Sequence, residues 1–318
     1  MKVLYIYRDY MGRRKKYGEM MEKLGHKVQY LQILEKKIND QVHVKHIKRY
    51  NPDIVWAYTP AYIQYNVISN DTIDYINKKG IPLVMYNTYF PDFAYIDTLD
   101  VWKKIDYLFI HDRGMHKFLK KNNLNSYYVP LAFYEDQYYK TRGDKKYDVS
   151  FMGRPLTYLP LNEDKRSIYL QSLKKYNIKV FGEMFENRLK GIKIKKYRGH
   201  DAQRIVYGQT KINLDLPFVN YKNKFYKNKI HWKNRIFEIP ATGNFLLTQR
   251  DIQFLEIFGE DTIGYYDNNI DSFKESIDKY LKDKELRKKM AKKAYKLVHQ
   301  KHTFLHRFKE MFDLIDIK

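Results

Sequence analysis

Short apolar runs alternate with amphipathic segments along the first 140 residues. Helical spacing marks the segments 13–24, 70–80 and 114–123, and the first of them ends at Gly25, which suits a left-handed C-terminal cap. Runs with the length and composition of buried strands occupy 2–7, 26–33, 53–58, 81–87, 106–112 and 126–133. Strands separated by amphipathic helices pair in parallel through helical crossovers. We therefore predict an open, doubly wound α/β domain.

A second α/β pattern follows a polar, glycine-containing stretch at 135–147, which has the composition of a linker. Its predicted strands lie at 148–153, 178–183, 193–199, 211–217, 244–248 and 262–267, with helices at 164–175 and 201–209 and two more in the C-terminal region. A last amphipathic helix, 303–315, comes after this domain is complete. A chain of 318 residues is long enough for two domains. We predict an N-terminal domain over 1–142, a C-terminal domain over 146–302 and an added helix within 303–318.

Composition excludes several classes of protein and site. The chain has no cysteine, which excludes disulfides, thiolate zinc sites and cysteine nucleophiles and fits a reducing compartment. The first apolar run is too short for a signal peptide, and no run approaches the ~20 apolar residues that a membrane span needs. We therefore expect a cytoplasmic protein, with peripheral contact to a membrane surface as one use of its charge.

That charge is strongly positive, because 60 Lys and Arg residues oppose 37 Asp and Glu residues for a formal net charge of +23. A surplus of this size favours nucleic acid, anionic lipid or a polyanionic substrate as a partner. The alternative is a lysine-rich composition without a functional meaning, since most lysines are scattered. Two clusters stand out: 13–16, "RRKK", and 220–234, which interleaves Lys with aromatic residues as single-stranded nucleic acid grooves do.

The stretch 234–249, "NRIFEIPATGNFLLTQ", places two charges in an otherwise apolar segment. We predict a helix that buries Ile236, Phe237 and Ile239 and is followed by a buried strand. Residues three apart share one face of a helix, so Arg235 and Glu238 are expected to point together toward a ligand cleft. The alternative is a surface ion pair worth only ~0.3–0.5 kcal/mol.

The order of motifs in the second half resembles that of CgeB-like glycosyltransferases of the group-1 superfamily. The resemblance covers about 148–307 and rests on five ordered segments: 148–154 "DVSFMGR", 211–216 "KINLDL", 235–248 "RIFEIPATGNFLLT", 254–268 "FLEIFGEDTIGYYDN" and 302–307 "HTFLHR". It implies a GT-B fold, with two Rossmann-like domains facing across a cleft and the last helix packing back on the N-terminal domain. It also implies that the C-terminal domain holds a nucleotide-sugar, with a UDP-sugar as the expected donor, and that the N-terminal domain holds the acceptor.

The resemblance assigns donor-binding roles to several residues. Glu238 matches the acid that accepts hydrogen bonds from the ribose hydroxyls, which suits an acceptor-only carboxylate. Arg235 and Arg154 match diphosphate ligands, with Lys165 or Arg166 as a further candidate, because a guanidinium fork fits phosphate oxygens. These cations would take the place of a metal in neutralising the departing diphosphate.

Three further candidates lie in loops. Gly182 and the turn around Arg198 resemble the loops that hold the base through backbone groups. Gly243 either lets the backbone pass close to the ligand or acts only as a helix C-terminal cap.

One departure from the family pattern limits what the resemblance implies about mechanism. Retaining members of the wider superfamily carry a second glutamate eight residues before the one matched by Glu238, and Ile230 occupies that position. Retention and inversion of the anomeric centre therefore both stay open. An inverting reaction needs a base from the N-terminal domain, for which Asp92 is the first candidate and His111 and Asp112 follow.

Other chemistries lack their motifs. The histidines show no close pairing beyond His43/His46 and those near residue 300, which do not resemble a metal site. No D-x-D triplet, G-x-G-x-x-G or G-K-[ST] loop occurs, so we expect no metal and no cofactor beyond the nucleotide-sugar. We predict a metal-independent glycosyltransferase with an unidentified hydroxyl acceptor that is anionic in one version of the hypothesis. The alternatives are a nucleic-acid-directed protein, which binds DNA or glycosylates modified bases, and an inactive homologue that serves as an assembly module.

Overall fold

The computed structural model describes residues 1–9, 14–34, 39–58, 67–87, 99–141, 143–156, 159–196, 199–217 and 233–315. The chain divides into two compact units. The first contains the described residues of Met1–Leu131 and of Phe304–Lys318, and the second contains those of Ala132–Tyr221 and Lys229–Thr303. The division thus falls upstream of the predicted linker at 135–147, and the acceptor and donor roles given to the two domains stay predictions.

The first unit is built on a six-stranded parallel sheet in the order β2-β1-β3-β4-β5-β6. Its strands are β1 (Lys2–Tyr7), β2 (Lys27–Gln32), β3 (Ile54–Tyr58), β4 (Leu83–Asn87), β5 (Tyr107–Ile110) and β6 (Ser126–Tyr128). Its first five helices are α1 (Lys15–Lys23), α2 (Asp40–Tyr50), α3 (Asn70–Lys78), α4 (Leu99–Trp102) and α5 (Arg113–Lys121).

The limits of these elements follow local chemistry. Gly25 follows the end of α1 and has φ 86°, the left-handed conformation expected at a helix C-terminal cap. The side chain of Ser69 accepts a hydrogen bond from Thr72 N at the start of α3, and Asp112 does the same for Met115 N at the start of α5. The sequence pattern did not reveal α2, because only His43 and Ile47 of that helix are buried.

The second unit holds another six-stranded parallel sheet, in the order β12-β11-β10-β7-β8-β9. Its strands are β7 (Tyr147–Met152), β8 (Ile178–Phe181), β9 (Ile194–Lys195), β10 (Thr210–Asp215), β11 (Leu246–Gln249) and β12 (Gly264–Tyr266). Its helices are α6 (Lys165–Ser172), α7 (Gly199–Gly208), α8 (Arg235–Ala241), α9 (Ile252–Phe258), α10 (Ile270–Lys282) and α11 (Lys284–Lys301).

Two predicted strands are shorter in the structure. Among the described residues of 193–199 only Ile194–Lys195 form a strand. Of 126–133 only Ser126–Tyr128 join the sheet, and Phe133 makes an isolated bridge to Thr303. Both strands lie at an edge of their sheet, where one neighbour supplies all the pairing. Apolar residues of 129–133 are buried outside the sheet, so their hydrophobicity reflects packing and not strand pairing.

The last helix, α12 (Phe304–Leu314), belongs to the first unit. Phe308 is fully buried there, with its ring 5.3 Å from that of Tyr17 and 5.4 Å from that of Trp56. Arg307 Nε donates a hydrogen bond to Pro130 O at 3.0 Å. The C-terminal helix therefore packs on the N-terminal domain, as the resemblance implied.

Candidate functional site

The second sheet contains a point at which the strand order reverses. From β7 the chain proceeds outward to β8 and β9, and it then returns to place β10 on the other side of β7. The two strands end at Met152 and Asp215, with their carboxyl ends side by side. Open α/β sheets bind ligands at such a reversal, since the two loops that follow the strands leave in opposite directions.

Arg235 lies over this reversal, at the first residue of α8. Its Nη1 is 3.4 Å from Oδ1 of Asp215, which is fully buried, and its guanidinium lies 5.1 Å from the ring centre of Phe151. The alternative interpretation, a surface ion pair between Arg235 and Glu238, is not found among the described residues. The Nη1 of Arg235 and the Oδ1 of Asp215 are buried, and neither makes a hydrogen bond within the described part of the chain. The guanidinium thus retains unused donor capacity at the end of the sheet.

Two more cations surround the same carboxylate. Arg166 is buried, with Nε donating to Leu216 O at 2.9 Å and Nη1 donating to Arg154 O at 3.0 Å. Desolvation, aided by the charges of Arg166 and Arg235, lowers the pKa of Lys233 to about 7. Burial raises the pKa of Asp215 although these three cations act to lower it. Three cations around one carboxylate leave a positive potential in a desolvated place, where an anion is bound more strongly than at the open surface.

Glycines allow the loops at this edge to approach closely. A Cβ on Gly182 would lie 1.8 Å from the carbonyl oxygen of Gly153, and a Cβ on Gly153 would lie 3.2 Å from Nη2 of Arg235. Only glycine therefore fits at Gly182 without displacing the neighbouring loop. The Asp164 carboxylate accepts hydrogen bonds from Leu156 N at 3.2 Å and from Ser167 N at 3.3 Å, and so ties the chain after β7 to the start of α6.

The other predicted donor ligands occupy different places. Arg154 follows β7 on the exposed side of the loop, with its Nη2 3.7 Å from Oε2 of Glu183. Glu238 lies in the first turn of α8 and is 9% exposed. The structure thus brings Arg154, Arg166, Gly182 and Arg235 to one edge of the sheet, with Glu238 one helical turn away from Arg235.

Gly243 does not join this group. It follows the C-terminal end of α8 with φ 73°, and its N–H donates to Pro240 O at 2.8 Å. This is the geometry of a helix cap. Of the two predicted roles, the structure supports the cap, because α8 runs from the carboxyl edge of the sheet back to the amino edge and carries Gly243 away from Arg235.

The remaining candidates lie elsewhere. Asp92, Arg198 and Ile230 are outside the described residues, as is most of the basic cluster 220–234. His111 directly follows β5 in the first unit and is 1% exposed, and its neighbour Asp112 caps α5. Their roles as a base stay predictions.

Sequence reasoning missed Asp215 and Lys233. Asp215 was visible as the charged residue that closes "KINLDL", and Lys233 lies two residues before Arg235. Neither was singled out, because nothing in a linear pattern shows that the end of β10 and the start of α8 meet. Among the described residues no group of three His, Asp or Glu side chains is placed to hold a metal ion. No helix in the described ranges is both long and apolar enough to cross a membrane.

Comparison with known proteins gives a family match and a fold match. Residues 166–313 match the family model described as glycosyl transferase-like. No protein with a curated description matches the chain. The family match places a glycosyltransferase family domain in the C-terminal half, and the predicted enzyme class is confirmed at this level.

Solved structures cover almost the whole chain. Sucrose-phosphate synthase from Thermosynechococcus elongatus has 9% sequence identity and a TM-score of 0.68, with 98% of this chain and 97% of that one covered. A glycosyltransferase from Rickettsia africae has 12% identity and a TM-score of 0.67, with the same coverage. Anabaena HepE, solved in complex with UDP and glucose, has 10% identity and a TM-score of 0.64 over 99% of this chain and 100% of that one. These likenesses confirm the predicted GT-B fold, and none supports the nucleic-acid alternative.

Proposed function

We propose that the protein is a metal-independent glycosyltransferase that moves a sugar from a UDP-sugar to a hydroxyl acceptor. The observation that carries the proposal is the group of Arg166, Lys233 and Arg235 around the buried carboxylate of Asp215 at the strand-order reversal of the second sheet. A nucleotide diphosphate is the ligand that best matches several fixed cations at the carboxyl edge of such a sheet. HepE has been solved with UDP and with UDP-glucose, which supports the choice of base.

In this proposal the protein contacts the diphosphate, the ribose and the base of the donor. Arg235 and Lys233 contact the diphosphate, and Arg154 reaches it from the exposed side of the loop after β7. Glu238 accepts hydrogen bonds from the ribose hydroxyls, while the loops at Gly182 and Arg198 hold the base. Arg166 acts differently from the prediction, since two of its N–H groups already hold backbone carbonyls and so position the loop of Arg154.

The transfer step needs these cations most when the bond to the leaving group breaks. The acceptor oxygen forms a bond to the anomeric carbon, the bond from that carbon to the diphosphate oxygen breaks, and its electron pair stays on UDP. The proton of the hydroxyl passes to a base, for which Asp92 or His111 is proposed if the reaction inverts. Fixed positive charge near the diphosphate stabilises the charge that develops on it.

Finer assignments rest on the ordered motifs in 148–307. They favour the CgeB-like subgroup. We further propose a cytoplasmic enzyme and an acceptor that is anionic, such as a glycan, a cell-surface polymer or a lipid at a membrane surface. The positive charge of the chain supports an anionic acceptor through long-range attraction.

Calorimetric titration with UDP, GDP, ADP and TDP tests the donor. We expect saturable binding of UDP at physiological salt and slow release of free sugar from a UDP-sugar that depends on Glu238. Binding that is equal for all four nucleotides, or that persists unchanged in Glu238→Ala, would contradict the site. As a matched control, Glu183→Ala removes an exposed carboxylate from the same edge of the sheet.

A further inference from the structure

A second basic site lies at the amino ends of the strands of the second sheet, opposite the proposed donor site. A cavity of about 300 Å³ opens there beside the amino ends of β7, β10 and β11. We call it the basic pocket. Its lining contains seven cationic side chains and no acidic one: Lys140, Lys145, Lys211, Lys284, Arg287, Lys288 and Lys292.

Most of this charge is not compensated by the protein. Lys211 pairs with Asp148 at 2.7 Å, and Lys288 pairs with Glu285 at 2.8 Å. Among the described residues the other five cations of the pocket have no carboxylate within 4 Å: Lys140, Lys145, Lys284, Arg287 and Lys292. Five unpaired positive charges around one cavity repel one another, and a bound anion would remove that repulsion.

Two of the cations, Lys145 and Arg287, are held in place by neutral groups. Arg287 Nη1 donates to Leu281 O at 3.0 Å and to Tyr280 O. Lys145 reaches inward, with Nζ donating to Gly208 O at 2.8 Å and to Asn244 Oδ1 at 2.7 Å. An ammonium has three N–H groups, so one remains for a ligand. Asn244 is itself oriented by donating to Thr141 Oγ1 at 2.9 Å. Desolvation and the charge of Arg287 lower the pKa of Lys145 to about 8, so the fold holds this cation at a cost that an anion would offset.

Four of the seven cations come from α11. Lys284, Lys288 and Lys292 are spaced by four and so lie on one face of the helix, above the buried Arg287. The helix begins at Lys284, so its positive dipole end faces the same cavity. The pocket therefore combines inner cations that are fixed by hydrogen bonds with an outer row of exposed lysines.

The basic pocket is separate from the proposed donor site. Lys211 is the second residue of strand β10, and Asp215 is its last residue. Four residues of a strand span about 13 Å, which is too far for one diphosphate to touch both Lys211 and Asp215.

We propose that the basic pocket binds a small soluble polyanion that carries at least two phosphate groups. Its volume lies at the lower end of ligand pockets, which suits a compact phosphorylated molecule better than a polymer. The proposal does not depend on the donor assignment, since it uses none of the residues at the carboxyl edge.

Titration with inorganic triphosphate tests this proposal. The experiment uses the full chain at 0.15 M salt, with and without saturating UDP, because triphosphate could also enter the donor site. The pocket variant is Lys284→Gln/Lys288→Gln/Lys292→Gln. The control variant, Lys282→Gln/Lys289→Gln/Lys296→Gln, removes the same charge from exposed positions of α10 and α11 that do not line the pocket.

We expect one saturable site in the wild type that UDP does not displace. The pocket variant should weaken it by about 30-fold and the control variant by less than about 3-fold, because only the first removes charges that contact the ligand. No binding by the wild type, or equal weakening in both variants, would overturn the proposal and leave only general attraction of a basic protein for anions. If UDP fails to bind while triphosphate behaves as expected, the proposed function fails and the basic pocket stands.

Discussion

The two sheets each contain one strand-order reversal, and the chemistry at the two reversals differs. In the first sheet the reversal lies between β1 and β3, where Tyr5 and Tyr7 stack with ring centres 4.9 Å apart. Arg14 lies 3.9 Å above the ring of Tyr58 and donates a hydrogen bond to its hydroxyl. The described part of this reversal is therefore mainly aromatic, with its cation covering a ring.

In the second sheet the corresponding place holds Asp215 and three cations, with the ring of Phe151 below the guanidinium of Arg235. The backbone architecture is the same, since in both cases two parallel strands end together below diverging loops. The comparison teaches that the fold supplies a position for a ligand, whereas the residues at the strand ends decide what kind of ligand can be held there. The tyrosine rings at the first reversal are buried and serve packing, whereas the cations at the second suit a phosphate.

The largest expected effect is a loss of stability in the first unit that leaves UDP binding in the second unit unchanged. Phe308→Ala removes a fully buried ring from α12 and should lower the free energy of unfolding by about 3–5 kcal/mol, because it leaves a cavity beside Tyr17 and Trp56. Denaturant unfolding measures this, with the partly exposed Leu314→Ala as a control that should cost less than ~1 kcal/mol. A change of more than a few-fold in UDP affinity would contradict the independence of the donor site.

Removing the arginine at each reversal tests the contrast directly. Arg235→Met should weaken UDP binding about 100-fold, or ~2.7 kcal/mol, because a desolvated guanidinium contact to phosphate is lost. Arg14→Met should change it by less than about 3-fold. Calorimetry measures both, and the double variant Arg235→Met/Asp215→Asn avoids leaving a buried carboxylate unpaired. Equal losses in the two arginine variants would mean that the second reversal is not the donor site.

A smaller effect is expected from the ribose contact. The wild type should prefer UDP over 2′-deoxy-UDP by about 10-fold, since the hydrogen bond from the 2′-hydroxyl to the buried Glu238 carboxylate is lost. Glu238→Ala should lower this preference to less than about 3-fold, and Glu183→Ala should leave it intact. Competition titration gives the ratio for each variant, and a preference that survives in Glu238→Ala would remove Glu238 from the ribose.

The smallest expected effect is the uptake of a fraction of a proton by Lys233 when UDP binds. Its pKa of about 7 means that it is mostly neutral at pH 8 in the free protein. A bound diphosphate favours the charged form and raises this pKa, so UDP binding at pH 8 should take up roughly half a proton or more. UDP affinity should accordingly fall as the pH rises from 7 to 9.

Calorimetry in buffers of different ionisation enthalpy counts these protons. Lys233→Arg keeps the charge but cannot titrate in this range, so the uptake should disappear in that variant. The same uptake in both proteins would show that another group takes the proton.

Much of the fold could be predicted from short-range patterns. Apolar runs such as 2–7 and 148–153 are strands because both faces of a parallel sheet are buried, which leaves a continuous hydrophobic run in the sequence. The helix α2 escaped prediction, since few of its residues are buried and the pattern is correspondingly weak, whereas β9 was predicted but is shorter than expected.

The site was predictable only in part. Arg235 stood out as a charge in an apolar segment, and its place at the end of the sheet agrees with that reasoning. Its partner was not foreseen, because Asp215 lies 20 residues earlier in the chain and meets Arg235 only when β10 and α8 have packed. The basic pocket was missed for the same reason, since its lysines come from 140–145, 211 and 284–292 and look scattered in the sequence.

The sequence by itself determined the alternation of strands and helices, the two halves and the class of enzyme, because these depend on local periodicity and on ordered motifs. Only the tertiary structure decided which charges share a low-dielectric environment. Arg235 with Asp215 at one edge of the sheet, and Lys145 with Arg287 at the other, are brought together by strand order. The physical reason is that desolvation and charge coupling depend on distances through space, which separation along the chain does not specify.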